Sequence, residues 1–314
     1  MDPAILAELN KATGRKESLI TYDNAVAKFL QHGEAKALSE YTLWSYAKEL
    51  KCFRLSLVEQ GASLDDIEAI RYEHFEYFVA NMRKNNYAVS TINQRLLTIK
   101  IFGNYCVRHR LLTVNHASEI PQLKVRKRIG DSFSKAQLKQ LLATPNISTF
   151  EGLRDITIMT MFADTGIRLS ELHAINVQDV MFDDNSVSIQ RTKNRQARRI
   201  PLTKRLKTLL IAYIKVRGVV DDTDALFVTM MDTRLARGSI EYQIRRHGRD
   251  CGIIDDLKCA PHTFRRTFAK FKIKAGVDVF TLQALMGHSD ISELRNYVAI
   301  YSTDLDDAIE KGID

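Results

Sequence analysis

The feature that most limits how this chain can fold is a break near its middle. Pro121-Gln-Leu-Lys-Val-Arg-Lys-Arg-Ile-Gly-Asp131 combines a proline, a glycine and the clustered cations Lys124, Arg126, Lys127 and Arg128, with no apolar period. Such a stretch continues neither a helix nor a strand. The expectation is therefore a domain over 1–120, a basic linker over 121–131 and a second domain over 132–314. A chain of 314 residues has the length for two cores of ordinary size.

The two halves differ in pattern. Before the break the periods are helical. Glu40 to Gln60 carries Leu43, Ala47, Leu50, Phe53 and Leu57 at helical spacing and ends at Gly61. Arg71 to Lys84 puts Phe75, Phe78, Val79 and Met82 on one face. A third helix is expected from Ser90, read as its N-cap, to Phe102, burying Ile92, Leu96, Ile99 and Phe102. After the break, Ser134-Lys-Ala-Gln137 fits a capping box. An apolar helix over 153–163 follows and breaks at Gly166. Val187 to Thr192 and Arg198 to Leu202 read as two strands around the polar turn Lys193-Asn-Arg-Gln. Further helices are expected over 206–216, 239–251, 263–275, 279–285, 291–298 and 303–311.

Composition excludes several classes. No uninterrupted apolar run has transmembrane length, and the first residues lack a basic start followed by an apolar stretch, so a cytosolic protein with no membrane partner is expected. Cys52, Cys106, Cys251 and Cys259 have no C-x-x-C spacing, which points to free thiols rather than zinc or a disulfide framework. The net charge is +8, and its densest positive stretch is Lys124 to Arg128. Cations so arranged suit a phosphate backbone, because each one that neutralises a phosphate releases counterions.

The chemistry is carried by four short segments. Arg168 follows Asp164-Thr-Gly-Ile, so a glycine turn delivers it to the start of a helix, with Glu171 one turn on to steady its guanidinium. His262 and Arg265 stand three apart at the start of another helix and project to one side. Two guanidinium groups can clamp the non-bridging oxygens of a phosphate where other sites use a metal. Tyr297 follows His288 by nine positions and supplies a phenol. Its proton, with a pKa of about 10, must leave as it attacks. His262 or His288 can accept that proton, and the residues alone do not separate them. Lys193, on the hairpin turn, is a cation able to protonate a departing oxygen. Together these residues suit attack on a phosphodiester by a side chain.

In order and spacing, Thr165-Gly-Ile-Arg-Leu-Ser-Glu-Leu172, Pro261-His-Thr-Phe-Arg-Arg-Thr-Phe-Ala269 and Ala275 to Asp290 running on to Tyr297 resemble the tyrosine site-specific recombinases of the phage integrase family, of the compact Xer- or Cre-like kind. Thr91-Ile-Asn-Gln-Arg-Leu96 resembles that family's DNA-binding helix in the smaller domain. The resemblance implies a mainly α fold with a small β component. An N-terminal helical, SAM-like core-binding domain and a C-terminal mixed α/β catalytic domain would form a clamp around DNA. It implies that Arg168 and Arg265 bind the scissile phosphate and that Lys193 acts as general acid. His262 would assist proton transfer, His288 would contact the phosphate, and Tyr297 would form a 3′-phosphotyrosine. Arg266 and Phe264 depart from residues common in the family, but neither holds an assigned role. Tyr301 is a competing nucleophile whose spacing from His288 is too long for the pattern.

Strand exchange of this kind needs neither a cofactor nor a metal. The partners implied are double-stranded DNA with paired core sites and a homotetramer on that DNA, exchanging strands through a Holliday junction; a related recombinase is an alternative partner. The helix over 303–311 would dock into a neighbouring protomer, and the setting would be the nucleoid. Residues expected to touch DNA are Lys48, Asn93, Arg95 and Lys100 in the first domain and Lys124, Arg126, Lys127 and Arg128 in the linker. Arg237, Gln243, Arg245 and Arg246 are the corresponding set on a helix of the second domain. Competing readings are a type IB topoisomerase-like nicking-closing enzyme and a DNA-binding regulator that has lost the reaction.

Overall fold

The computed structural model describes residues 19–124, 131–189, 198–220 and 223–287. Arg126, Lys127, Arg128, Lys193, His288, Tyr297, Tyr301 and the helices expected over 291–298 and 303–311 lie outside the described residues. The chain divides into two compact units, Met1–Lys127 and Arg128–Asp314.

The first unit is built from helices α1 (Tyr22–Ala35), α2 (Glu40–Glu59), α3 (Tyr72–Lys84) and α4 (Val89–Arg108). Helix α1 was not singled out in the sequence; its apolar stripe of Tyr22, Ala25 and Phe29 is short. The core sets aromatic rings among aliphatic side chains. Phe53 stacks on Phe75 with centroids 4.9 Å apart, and Tyr22 meets Phe102 edge-on at 5.8 Å. The Tyr22 hydroxyl donates to the Leu50 carbonyl (2.9 Å), so the polar tip of a buried ring is satisfied. Helix α4 differs from expectation at both ends. It starts at Val89, with Ala88 rather than Ser90 as its cap and no side-chain cap bond. It also runs on through Gly103, where the Asn115 amide packs so closely that no larger residue fits, and continues to bury Cys106.

The second unit opens with α5 (Lys135–Leu142), whose capping box joins Ser134 Oγ to the Gln137 N–H and Gln137 Oε1 to the Ser134 N–H. Helix α6 (Phe150–Thr165) crosses the core, and α7 (Leu169–Ala174) follows one turn later. The hairpin becomes a three-stranded antiparallel sheet, β1 (Val180–Met181), β2 (Ser186–Ile189) and β3 (Arg198–Pro201), in the order β1-β2-β3. Val187 lies opposite Ile200, and Ile189 opposite Arg198. Helices α8 (Lys204–Arg217), α9 (Arg237–Asp250), α10 (Pro261–Lys274) and α11 (Val279–Met286) complete the described fold. The core gathers Phe162, Ile167, Leu172, Val187, Ile200 and Phe264.

A buried charged knot ties α6 to α9. Asp155 accepts from Arg154 through Oδ1 (3.1 and 3.2 Å), and its Oδ2 lies 3.1 Å from His247 Nε2. Arg154 also donates to the Val228 carbonyl (3.1 Å). All four cysteines are free. Burial pushes the Cys106 thiol up to about 12 and, with a smaller contribution from Cys251, the Cys259 thiol up to about 11. No helix among the described residues is long and apolar enough to cross a membrane.

Candidate active site

Gly166 ends α6 in the left-handed region (φ 61°). A Cβ there would also meet the Phe268 ring at 2.5 Å, so both conformation and space require glycine. The turn buries Ile167 and brings Arg168 to the cap of α7. The Arg168 backbone N–H donates to Glu171 Oε2 (3.0 Å), and its Nη1 donates to Glu171 Oε1 (3.0 Å). A second guanidinium reaches the same carboxylate from β3: Arg198 Nη1 to Oε1 (2.9 Å) and Nη2 to Oε2 (2.8 Å). The Glu171 side chain is only 1% exposed, whereas Arg168 keeps 27% of its side-chain surface. Burial pushes the Glu171 carboxyl up. The bonds from Arg198 and from the Arg168 backbone, with the two positive charges, outweigh that and hold it below its ordinary value.

Arg265, buried on α10, donates Nη1 to the Gly166 carbonyl (2.6 Å) and Nη2 to the Met286 carbonyl (2.9 Å). Arg168 Nη1 donates in addition to the Gly287 carbonyl (3.0 Å). The last carbonyls of a helix have no partner within it. Here two arginines from two other helices take them, at the left-handed Gly287 that ends α11 (φ 61°). Arg168, Glu171 and Arg265 are thus brought together. His262 stands one turn before Arg265 on α10 and is exposed. Burial, followed by the charges of Arg237 and Arg234, pushes the His173 imidazole at the end of α7 down, as expected beside a basic surface.

The residues expected to touch DNA fall into two groups. Lys48, Lys124, Arg237 and Arg245 are exposed, and Lys48 Nζ lies 5.2 Å from the Trp44 ring centre. The others are engaged within their own unit. Asn93 exchanges two bonds with the Leu123 backbone (2.8 and 2.9 Å), and Lys100 donates to the carbonyls of Ser118 and Ile120. Arg95 Nε sits 2.9 Å from Glu49 Oε2, a charge contact out of line for a hydrogen bond, with its guanidinium over the Tyr87 ring. Arg246 is half-buried, 3.7 Å from Asp155. Gln243 is half-buried, with Oε1 unpaired among the described residues.

Sequence reasoning missed Arg198. Its signal was present: Arg198 and Ile200 share one face of β3, and Ile200 is buried, so Arg198 lies on the inward face while Arg199 points out. Among the described residues no group of three or more His, Cys, Asp or Glu side chains is placed to hold a metal ion.

Comparison with known proteins fits this framework. The model of the phage integrase family matches residues 131–303, more than half of the chain, and that of the phage integrase N-terminal SAM-like domain matches residues 26–110. The chain belongs to the phage integrase family. It is 29% identical over 284 residues to the tyrosine recombinase XerC of Chlamydia pneumoniae, covering 84% of this chain and 90% of that protein. It is 28% identical over 267 residues to the tyrosine recombinase XerD of Ralstonia nicotianae, covering 84% and 85%. Its fold matches that of the Tn1549 transposon integrase in complex with circular intermediate DNA, with a TM-score of 0.75 at 18% identity over 93% of this chain and 99% of that one. The expected fold, mainly α with a small β component, holds for the described residues.

Proposed function

We propose that this chain is a site-specific DNA recombinase that cuts and rejoins DNA through a covalent tyrosine link. The observation that carries the reading is the convergence of Arg168 and Arg265, from different helices, on the end of α11, with buried Glu171 behind Arg168. Two guanidinium groups so placed can each turn from a backbone carbonyl to a phosphate oxygen, a stronger, charge-assisted partner.

In this reading Arg168 and Arg265 bind the non-bridging oxygens of the scissile phosphate. The Tyr297 oxygen forms a bond to phosphorus, and the bond from phosphorus to the 5′ oxygen breaks. The phenolic proton passes to a histidine, with His262 assisting, while His288 contacts the phosphate. Lys193 protonates the departing 5′ oxygen. A 3′-phosphotyrosine and a free 5′ hydroxyl result, and attack by another strand's 5′ hydroxyl reverses the step. The phosphodiester energy is kept in the covalent link, so rejoining needs no ATP.

DNA contact is assigned to the exposed cations Lys48, Lys124, Arg237 and Arg245 and to Arg126, Lys127 and Arg128 of the linker, with Gln243 and Arg246 beside them on α9. Asn93, Arg95 and Lys100 can take part only by releasing their present partners. Paired core sites, a homotetramer and a Holliday junction complete the scheme, in which residues 1–120 serve as the core-binding domain and 132–314 as the catalytic domain. XerC- and XerD-type relatives and the DNA-bound integrase neighbour support it.

The test is covalent capture. The protein is incubated with a pool of random duplexes nicked to trap the intermediate, and DNA bound through denaturing conditions is sequenced. Wild type should yield a shared core sequence with the protein on a 3′ end, Tyr297→Phe should yield none, and Tyr301→Phe should behave as wild type. An adduct persisting in Tyr297→Phe overturns the nucleophile. Relaxation of supercoiled DNA without a selected sequence or recombinants favours a nicking-closing enzyme instead.

A further inference from the structure

Arg168 faces an electrostatic difficulty. Its neighbour Glu171 is 1% exposed, carries a negative charge, and bonds both its backbone and its guanidinium. With Arg168 as the only cation, the pair would be neutral, and a phosphate arriving beside it would meet a buried carboxylate of its own sign. Charges a few ångströms apart with little water between them are weakly screened.

Arg198 changes that balance. Its fork meets both carboxylate oxygens at 2.8 and 2.9 Å, in the bidentate arrangement that fixes a guanidinium most firmly. It is 12% exposed, and it packs against Gly287, where any Cβ would collide with its guanidinium. Gly287 is also the residue whose carbonyl Arg168 holds. One buried carboxylate between two guanidiniums leaves the triad with a net positive charge, and the cation that keeps surface is Arg168.

We infer that Arg198 is a positioning residue for the phosphate-binding arginine: it neutralises Glu171 from the inner side, fixes that carboxylate under Arg168, and leaves Arg168 free to act as a cation toward the scissile phosphate. The inference rests on the recombinase reading above. In this role Arg198 acts through Glu171 rather than on the DNA itself. A lysine in its place keeps the charge but cannot span both carboxylate oxygens.

The experiment uses the full chain and a duplex recovered by covalent capture, in two forms: one with the natural scissile phosphate and one with a neutral methylphosphonate at that position. Arg198→Met should form adduct on the phosphate roughly 10- to 100-fold more slowly than wild type, the size typical for loss of a group that orients a ligand-holding side chain. DNA affinity should change little. Arg198→Lys should fall between. On the methylphosphonate, which has no charge to clamp, the gap between variant and wild type should shrink to a few-fold. A deficit of equal size on both substrates overturns the inference, because a loosened fold slows both alike. So does a variant as fast as wild type on the phosphate, or failure of both variants to fold, which would make Arg198 a residue that holds the fold. If wild type itself forms no adduct with any duplex, the recombinase reading is what fails, and this inference falls with it.

Discussion

Both units bury aromatic rings, but among the described residues only the second buries charge. In the first, rings such as Tyr22, Phe53 and Phe102 pack among aliphatic side chains, and the buried polar residues among those described are the uncharged Ser56, Thr98 and Asn115. In the second, Arg154, Asp155, Glu171, His247 and Arg265 are all nearly inaccessible. Ionised groups out of water are costly even when paired, and apolar replacements of similar size often stabilise a protein. A unit that keeps several of them is constrained by something other than stability. Two of the five, Glu171 and Arg265, belong to the candidate active site. Arg154, Asp155 and His247 form the knot that holds α9, the helix assigned to DNA, against α6.

That comparison breaks most easily at Asp155. Asp155→Ala leaves Arg154 and His247 facing each other without their shared carboxylate. The expected loss is about 3–5 kcal/mol, the usual cost of removing one partner from a buried charged group. Urea unfolding followed by circular dichroism measures it. Trp44, the sole tryptophan, lies in the first unit, so its fluorescence should report a transition that Asp155→Ala leaves in place. A loss under about 1 kcal/mol would put the knot in the class of surface ion pairs and erase the contrast between the units.

The two units were also unequally legible in the sequence. Helices α2 and α3 could be read because their apolar residues keep a helical period and nothing competes with it. The start of α4 differs from expectation because Ser90 has the chemistry of an N-cap, whereas the helix opens at Val89 after Ala88 with no side-chain cap bond to signal it. In the second unit, Arg168, Glu171 and Arg265 could be picked out by motif, and the structure gathers them. Arg198 and the Asp155 knot could not be read that way. Their partners lie across the fold, 27 positions apart for Arg198 and Glu171 and 92 for Asp155 and His247. Only the inward register of β3 hinted at the first. Short-range spacing reports faces of single elements; it does not report which two faces will share a carboxylate.

Glu171 offers a smaller effect with a defined sign. Its carboxyl is held below its ordinary value, so the folded state favours the ionised form. The stability this contributes is fully present above the ordinary carboxylate range and is lost as pH falls through the lowered folded value. Melting temperature plotted from about pH 6 to pH 3 should therefore drop on the acid side, and Glu171→Gln should flatten part of that drop. The variant should cost about 1–2 kcal/mol at neutral pH, because the amide NH2 that replaces one carboxylate oxygen cannot accept the two bonds which that oxygen holds. An acid limb identical in both proteins would remove Glu171 from the charge balance of the second unit.

The smallest expected effect tests whether the units differ in anything besides buried charge. Gly61, in the first unit, and Gly276, in the second, both have positive φ (69° and 75°), and a Cβ on either would meet nothing within 4 Å. Neither adjoins a buried ion. Each alanine substitution therefore carries only the left-handed backbone penalty, about 1 kcal/mol, partly offset by a less flexible unfolded chain. Gly61→Ala, followed by Trp44 fluorescence, and Gly276→Ala, followed by circular dichroism, should agree within about 0.5 kcal/mol. Equal costs would leave buried charge as the property that sets the second unit apart. A Gly276→Ala cost several-fold larger would mean that its backbone is strained generally, and the cost seen at Asp155 would then reflect that strain as well as an unpaired charge.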